Sequence, residues 1–174
     1  MEIERKFLVS QENLPENLSA YPCKKIQQGY LCTDPVVRIR RSNDNYYLTY
    51  KSSGLMIRQE HEFPLTPEAY EHLKAKADGL LLTKTRYVIP EKDGLSIELD
   101  IFDVPYKGLF LAEVEFPSED AALSYTPPAW FGEEVTNSSK YHNSNLSRGI
   151  DLEWPFSHAE MDEHNACGSM AELL

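Results

Sequence analysis

The sequence predicts a mainly β protein of the α+β class, built as a closed eight-stranded antiparallel β-barrel tunnel with a few flanking helices. Three observations support this prediction: apolar and polar side chains alternate along eight segments, turn signals separate them, and ionisable residues recur at i and i+2 in nearly every segment. Residues at that spacing share one face of a strand, so one face of the predicted sheet is charged.

The eight predicted strands are separated by short turn sequences. Asn43-Asp44-Asn45, Ser52-Ser53-Gly54 and Asp93-Gly94 supply residues that tolerate the positive φ of tight turns. The predicted strands are Glu2–Ser10, Lys25–Thr33, Val36–Ser42, Tyr46–Lys51, Met56–Leu65, Leu81–Pro90, Leu95–Asp103 and Leu109–Pro117.

Two helices are predicted between the strands, and a third over residues 140–147. Thr66-Pro67-Glu68 combines an N-cap, a proline at the first helical position and an acid at the positive end of the helix dipole. Gly79 is the predicted stop of this helix. Ser118-Glu119-Asp120 begins a shorter second helix, which ends before Pro127-Pro128.

Length and composition predict a single folded domain. The 174 residues suit one domain with a sizeable core, which we place at residues 1–156, followed by a small, polar tail at residues 157–174.

A net charge of -11 argues against nucleic acid or an anionic membrane as a partner. No apolar run is long enough to cross a membrane and no signal peptide precedes the first strand, so we expect a cytoplasmic location.

The charged face differs in sign from strand to strand. The third and sixth predicted strands carry only cations there, the seventh and eighth only acids, and the first and fifth both. A solvated outer face remains an alternative, although such a face usually mixes in Ser, Thr and Gln. We favour a polar barrel interior that is wet or filled by ligand, because unpaired charges in a dry interior would cost several kcal/mol each, as an order of magnitude. The apolar residues then face outward, where helices or a second subunit would cover them.

These residue types together indicate phosphate chemistry. Several Arg and Lys side chains converging on one cavity suit a compact polyanion, because guanidinium groups bind phosphate oxygens bidentately. Clustered Glu and Asp without supporting His or Cys favour the hard cations Mg²⁺ or Mn²⁺. A basic cavity with a carboxylate-held metal is typical of phosphoryl transfer.

We expect all five histidines to be structural, since carboxylate sites for hard cations do not need imidazole.

The N-terminal run Glu2-Ile3-Glu4-Arg5-Lys6-Phe7 resembles the ExExK signature of the CYTH superfamily, the triphosphate tunnel metalloenzymes. The resemblance covers about residues 1–152 and implies the eight-stranded tunnel that the alternation predicts. The other similar blocks, in family order, are Gln28-Gly29-Tyr30-Leu31, Val37-Arg38-Ile39-Arg40, Leu48-Thr49-Tyr50-Lys51, Arg58-Gln59-Glu60-His61-Glu62, Lys84-Thr85-Arg86-Tyr87, Glu98-Leu99-Asp100, Glu113-Val114-Glu115-Phe116, Glu134-Val135-Thr136 and Tyr141-His142-Asn143.

The resemblance also implies roles for individual side chains. The metal ligands would be Glu2, Glu4 and Glu115, with Glu113 nearby. The triphosphate would be bound by Lys6, Arg38, Arg40, Lys51, Arg58, Lys84 and Arg86. The catalytic set would be Glu60, Glu62, Asp100 and Lys84, in which the acids orient the attacking water or hold a second metal. The sequence leaves open which acid activates water.

Several activities occur in this family, and the fold does not choose among them. The chain resembles the compact bacterial members, so we expect hydrolysis of tripolyphosphate or of nucleoside triphosphates, both small anionic substrates. Adenylate cyclase and thiamine triphosphatase are the alternatives. Thiamine triphosphatase needs an aromatic side chain to stack on the thiazolium ring; Trp130 and Trp154 lie beyond the predicted strands, which leaves Tyr30 and Tyr47 for this role. A non-catalytic polyphosphate- or nucleotide-binding module is a further alternative, which the intact set of acids disfavours.

A homodimer is one way to cover the outward apolar face.

Overall fold

The computed structural model describes residues 1–149 as one antiparallel sheet that curls into a nearly closed barrel. Its nine strands follow the order β5-β1-β9-β8-β7-β2-β3-β4-β6. In chain order they are β1 Glu2–Leu8, β2 Cys23–Thr33, β3 Val36–Ser42, β4 Asn45–Lys51, β5 Ile57–Arg58, β6 Glu60–Pro64, β7 Asp78–Pro90, β8 Ser96–Phe102 and β9 Phe110–Glu115. The predicted mainly β antiparallel barrel is thus confirmed, and the predicted tail at residues 157–174 lies outside the described residues.

The barrel has nine strands rather than the predicted eight because one predicted strand is divided. Ile57–Arg58 pairs with β1, whereas Glu60–Pro64 pairs with β4 on the other side. Gln59 lies between them and is held by Ser52: the Ser52 N–H donates to the Gln59 carbonyl at 2.9 Å, and the Gln59 N–H donates to the Ser52 hydroxyl at 2.8 Å. This change of neighbour joins the two ends of the sheet.

The barrel is nearly closed, not fully closed, because another segment takes the edge of β1. The Gly132 N–H donates to the Leu8 carbonyl at 2.7 Å, and the Leu8 N–H donates to the Glu133 carbonyl at 2.8 Å. The Val135 N–H donates to the Lys6 carbonyl at 2.8 Å. Residues 132–135 therefore occupy the edge that β6 would need for full closure.

The first two predicted helices are confirmed as α1 Pro67–Lys74 and α2 Glu119–Ser124. The Thr66 hydroxyl accepts from the Ala69 N–H at 3.1 Å, as an N-cap does. Gly79 does not end α1 as predicted but lies in β7 at φ 68°, where a Cβ would meet the Ser147 carbonyl oxygen at 2.3 Å.

The predicted third helix is shorter than expected and follows a 3₁₀ turn. The turn spans Ser139–Tyr141, and α3 spans only Asn143–Leu146. No helix among residues 1–149 is long and apolar enough to cross a membrane.

The outward apolar face predicted from the alternation is confirmed. Ile3, Phe7 and Val114 are buried beneath connecting segments that include Leu18 and Phe116. The outward Arg5 donates to Glu134 at 2.8 Å and to two backbone carbonyls at 2.9 Å each. This cover is partial, because Phe63 on the outer face of β6 is 57% exposed.

A second apolar cluster fills one end of the barrel interior. The strand register places Leu8 opposite Leu111 and Lys84 opposite Phe102. Leu8, Leu111 and Phe102 pack with Leu82, Leu109 and Leu146 in this cluster. The polar part of the interior therefore ends at this cluster, beyond Lys84.

Candidate active site

The inward charged side chains form the wall of one cavity of about 150 Å³. Their arrangement shows that the alternative of a solvated outer face is wrong for these strands. The predicted site residues on the wall are Glu2, Glu4, Lys6, Arg38, Arg40, Lys51, Arg58, Glu60, Arg86, Glu113 and Glu115.

Three predicted site residues do not line this cavity. Lys84 and Asp100 are fully buried beneath it, with the Lys84 Nζ 2.5 Å from an Asp100 carboxylate oxygen. Arg86 donates to the same carboxylate at 2.6 and 2.8 Å. Glu62 is exposed and accepts from the Thr49 hydroxyl at 3.2 Å. The i, i+2 pattern identified the face correctly but does not encode depth along the barrel axis.

Several wall cations are compensated by neighbouring acids. Lys6 lies 3.1 Å from Glu113, and Lys51 lies 2.8 Å from Glu2. Burial alone would raise the pKa of Glu113, but Lys6 and Arg86 outweigh it and hold the pKa well below its usual range. These pairs neutralise part of the wall before any ligand binds.

Arg38, Arg40 and Arg58 form a cationic group without such compensation. No carboxylate within residues 1–149 lies within 4.0 Å of their guanidinium groups. Arg38 donates to the Thr49 hydroxyl at 3.3 Å, and its buried Nε has no hydrogen-bond partner in this part of the chain. A buried donor without a partner is costly. The positive charge is therefore concentrated where an anion would satisfy it.

The acids on the opposite wall repel one another. Glu4 and Glu115 are direct cross-strand partners. Burial raises the pKa of Glu4, with a further contribution from Glu113, and burial together with Glu2 raises the pKa of Glu115. A bound cation would relieve this repulsion.

The donor set fits a hard divalent cation. The acids supply only oxygen ligands, which Mg²⁺ and Mn²⁺ prefer. Within residues 1–149 no three His, Cys, Asp or Glu side chains are grouped closely enough to enclose a metal ion by themselves. Mg²⁺ sites in phosphoryl-transfer enzymes commonly use one or two carboxylates plus substrate oxygens, so a complete protein cage is not required.

The predicted site did not include part of the wall, namely Tyr30, Val36, Glu98 and the turn His142-Asn143-Ser144, although Tyr30, Glu98 and His142 stand in blocks that resemble the family. His142, which we expect to be structural, lies on this wall because the chain returns to the cavity at the start of α3. Burial lowers the pKa of His142 to about 4, assisted by Lys6 and Arg58, so the imidazole is neutral at pH 7. The family-like block Tyr141-His142-Asn143 was the available signal.

Comparison with known families agrees with this geometry. The sequence model of the CYTH domain matches residues 1–147, which contain every strand of the barrel. The chain belongs to the CYTH family. An inorganic triphosphatase of Nitrosomonas europaea is 43% identical over 153 residues, covering 86% of this chain and 98% of that protein. An inorganic triphosphatase of Acetivibrio thermocellus is 37% identical over 150 residues, covering 83% of this chain and 92% of that protein.

Solved structures show the same CYTH fold. A crystal structure of an inorganic triphosphatase is 40% identical with a TM-score of 0.64, covering 86% of this chain and 96% of that one. A Hippeastrum protein is 18% identical with a TM-score of 0.58, covering 71% of this chain and 83% of that one. At this lower identity the likeness concerns the fold alone.

Proposed function

We propose that this CYTH protein hydrolyses inorganic triphosphate with the help of Mg²⁺ or Mn²⁺. The observation that carries the proposal is the small, mostly charged cavity in which uncompensated Arg38, Arg40 and Arg58 accompany a cluster of acids. An anion alone would be repelled by these acids, so this combination suits a polyanion bound together with a cation. The activity named for the two curated relatives supports the same reaction.

The cavity wall favours a triphosphate with no organic group attached. Tyr30 and His142 are the only aromatic side chains on the described part of the wall, and Val36 is its only aliphatic one. A nucleobase or a thiazolium ring would need a flat or apolar surface of its own. Nucleoside triphosphate hydrolysis is the second candidate, in which the base would remain outside the mouth.

We assign the metal to Glu4 and Glu115, with Glu2 and Glu113 beside them. The bound metal would neutralise charge that develops on the phosphate oxygens. Arg38, Arg40 and Arg58 would bind the remaining phosphate oxygens, assisted by Lys6, Lys51 and Arg86. The two lysines would exchange part of their contact with Glu2 and Glu113 for contact with the substrate.

The predicted catalytic residues take different roles in this proposal. Glu60 lies on the wall as the direct cross-strand partner of Lys51, and we assign it to orient the attacking water. Glu62 is next along the same face and would assist from the rim. Asp100 and Lys84 lie beneath the wall, so we assign them to positioning Arg86 rather than to substrate contact.

A comparison of substrates tests the proposed function. Phosphate release from tripolyphosphate, ATP and thiamine triphosphate is measured with Mg²⁺ present, and we expect the highest kcat/KM for tripolyphosphate. A higher kcat/KM for ATP would move nucleotide hydrolysis to first place. No turnover of any of the three would overturn hydrolysis in favour of a binding module.

Arg38→Ala is expected to raise KM for tripolyphosphate by about 10- to 100-fold, because a hydrogen bond to a charged group contributes roughly 1.5–3 kcal/mol. The matched control is Arg41→Ala, which removes an outward-facing arginine from the same strand, whose guanidinium lies 5.7 Å from the Tyr46 ring centre. Steady-state kinetics of both variants provide the measurement. An unchanged KM in Arg38→Ala would contradict the assignment of this wall to the substrate.

A further inference from the structure

Gln28 is a fully buried polar residue inside the barrel that the roles above do not use. Its side-chain oxygen accepts two hydrogen bonds from Arg40, at 3.0 Å from Nε and 2.7 Å from a terminal nitrogen. Its side-chain amide donates to the Tyr30 hydroxyl at 3.2 Å. Gln28 therefore links two residues of the cavity wall while lying behind it.

This pairing differs from that of four other cations inside the barrel. Lys6, Lys51, Lys84 and Arg86 each lie within 4.0 Å of a carboxylate. Arg40 instead donates from two nitrogens to one neutral amide oxygen, whereas a carboxylate at this position would accept from the guanidinium and also cancel its charge. The amide fixes the orientation of the guanidinium without cancelling its charge.

The surroundings of Arg40 disfavour its positive charge. Burial lowers the pKa of Arg40 to about 9, with further lowering from Arg38 and Arg86. The group is still protonated at neutral pH, but its environment favours the arrival of an anion. The hydrogen bonds to Gln28 use Nε and one terminal nitrogen, so the other N–H groups remain for phosphate oxygens.

We propose that Gln28 is a positioning residue that holds Arg40 in a phosphate-binding orientation while leaving its positive charge uncompensated. The inference rests on the proposed function in that its ligand is the triphosphate. It adds a reason for an amide, and not a carboxylate, at this buried position. A glutamate here would keep the geometry and remove the net charge.

Two substitutions separate orientation from charge. Gln28→Glu keeps an acceptor for Arg40 but neutralises the arginine. Gln28→Met keeps the approximate volume but loses both hydrogen bonds from Arg40 and the one to Tyr30. We expect KM for tripolyphosphate to rise about tenfold or more in each, equivalent to roughly 1.4 kcal/mol, with kcat changed less than about threefold. Wild-type KM in either variant would overturn the corresponding part of the proposal.

The matched control is Gln27→Met in the neighbouring position of β2. The Gln27 side-chain oxygen accepts from the Tyr70 hydroxyl at 2.9 Å, but on the outer face of the barrel. This variant loses a hydrogen bond of the same type without approaching the cavity, so KM should stay unchanged. An equal rise of KM in Gln27→Met would show that general loosening of β2, and not Arg40, explains the effect.

A double-mutant cycle identifies Arg40 as the residue through which Gln28 acts. Arg40→Met combined with Gln28→Met should bind tripolyphosphate no more weakly than Arg40→Met alone, because the positioned group is already absent. Independent, multiplying effects would contradict the proposal. The cycle does not use Gln28→Glu, so it tests the dependence on Arg40 even if that variant folds poorly.

Metal-free binding separates this inference from the proposed function. Tripolyphosphate is titrated calorimetrically into wild-type protein, Gln28→Glu and Gln27→Met with EDTA present. About tenfold weaker binding by Gln28→Glu alone supports the inference even if the wild type shows no turnover. Equal affinities of all three proteins would overturn it even if the wild type hydrolyses tripolyphosphate.

Discussion

Glu4→Gln is expected to abolish tripolyphosphate turnover, lowering kcat/KM by about 10³-fold or more, while metal-free binding of tripolyphosphate is kept or tightened. The change removes a negative charge from the acids that we assign to the metal, and metal neutralisation of phosphate charge contributes several kcal/mol to such reactions. It also removes a charge that would repel the substrate, since Glu4 lines the cavity that we assign to the anion. Opposite effects on turnover and on binding would place Glu4 in the reaction itself, as a metal ligand is, and not in holding the anion.

The measurement combines steady-state kinetics with calorimetric titration in EDTA. Glu16→Gln is the control, because Glu16 is exposed in the segment that precedes β2 and should leave both quantities unchanged. Full activity of Glu4→Gln would contradict the metal assignment. Loss of both turnover and metal-free binding would instead indicate that Glu4 maintains the shape of the cavity.

Asp100→Asn is expected to lower the free energy of unfolding by about 3–5 kcal/mol, because it leaves the buried Lys84 without its counter-charge and weakens the pairing of Arg86. For a chain of this size the melting temperature should fall by about 10 °C. Glu98→Gln is the matched control: Glu98 pairs with the same arginine from the same strand, but its side chain is 35% exposed. The control should cost less than about 1 kcal/mol.

The pH dependence of this loss gives a second readout. Burial lowers the pKa of Lys84 to about 7 even with Asp100 beside it, whereas an unfolded lysine keeps its ordinary value. Between these two values the unfolded chain binds more protons than the folded one, so stability rises with pH. The melting temperature of Asp100→Asn should therefore be higher at pH 9 than at pH 7, and that of the wild-type protein should move in the same direction. A melting temperature of the variant that is unchanged or lower at pH 9 would contradict a buried charge on Lys84 as the cause of its instability.

The alternation of side chains was sufficient to predict the barrel and the content of its interior. Pairs such as Arg38 and Arg40 share one face wherever the strand lies. Their convergence with acids of other strands required the further assumption that the sheet closes with its charged face inward. The same parity accounts for the outward position of Arg5. These predictions depend on local geometry, which a single strand already contains.

Other features depend on long-range register, which the sequence pattern does not specify. Lys84 and Arg86 look equivalent along the chain, but only Arg86 reaches the cavity, because Lys84 lies beside the apolar cluster at one end of the barrel. The return of His142 to the wall depends on where α3 packs. The division of the fifth predicted strand at Gln59 likewise depends on which neighbour each half meets.

The most direct test of the account is phosphate release from tripolyphosphate by the full chain with Mg²⁺, with Mn²⁺ and with EDTA. The account predicts rapid release with at least one of the two metals and loss of release in EDTA that added metal restores. Undiminished release in EDTA would contradict a metal-dependent triphosphatase. Absence of release under all three conditions, with tripolyphosphate still bound, would show that the cavity binds the anion without hydrolysing it.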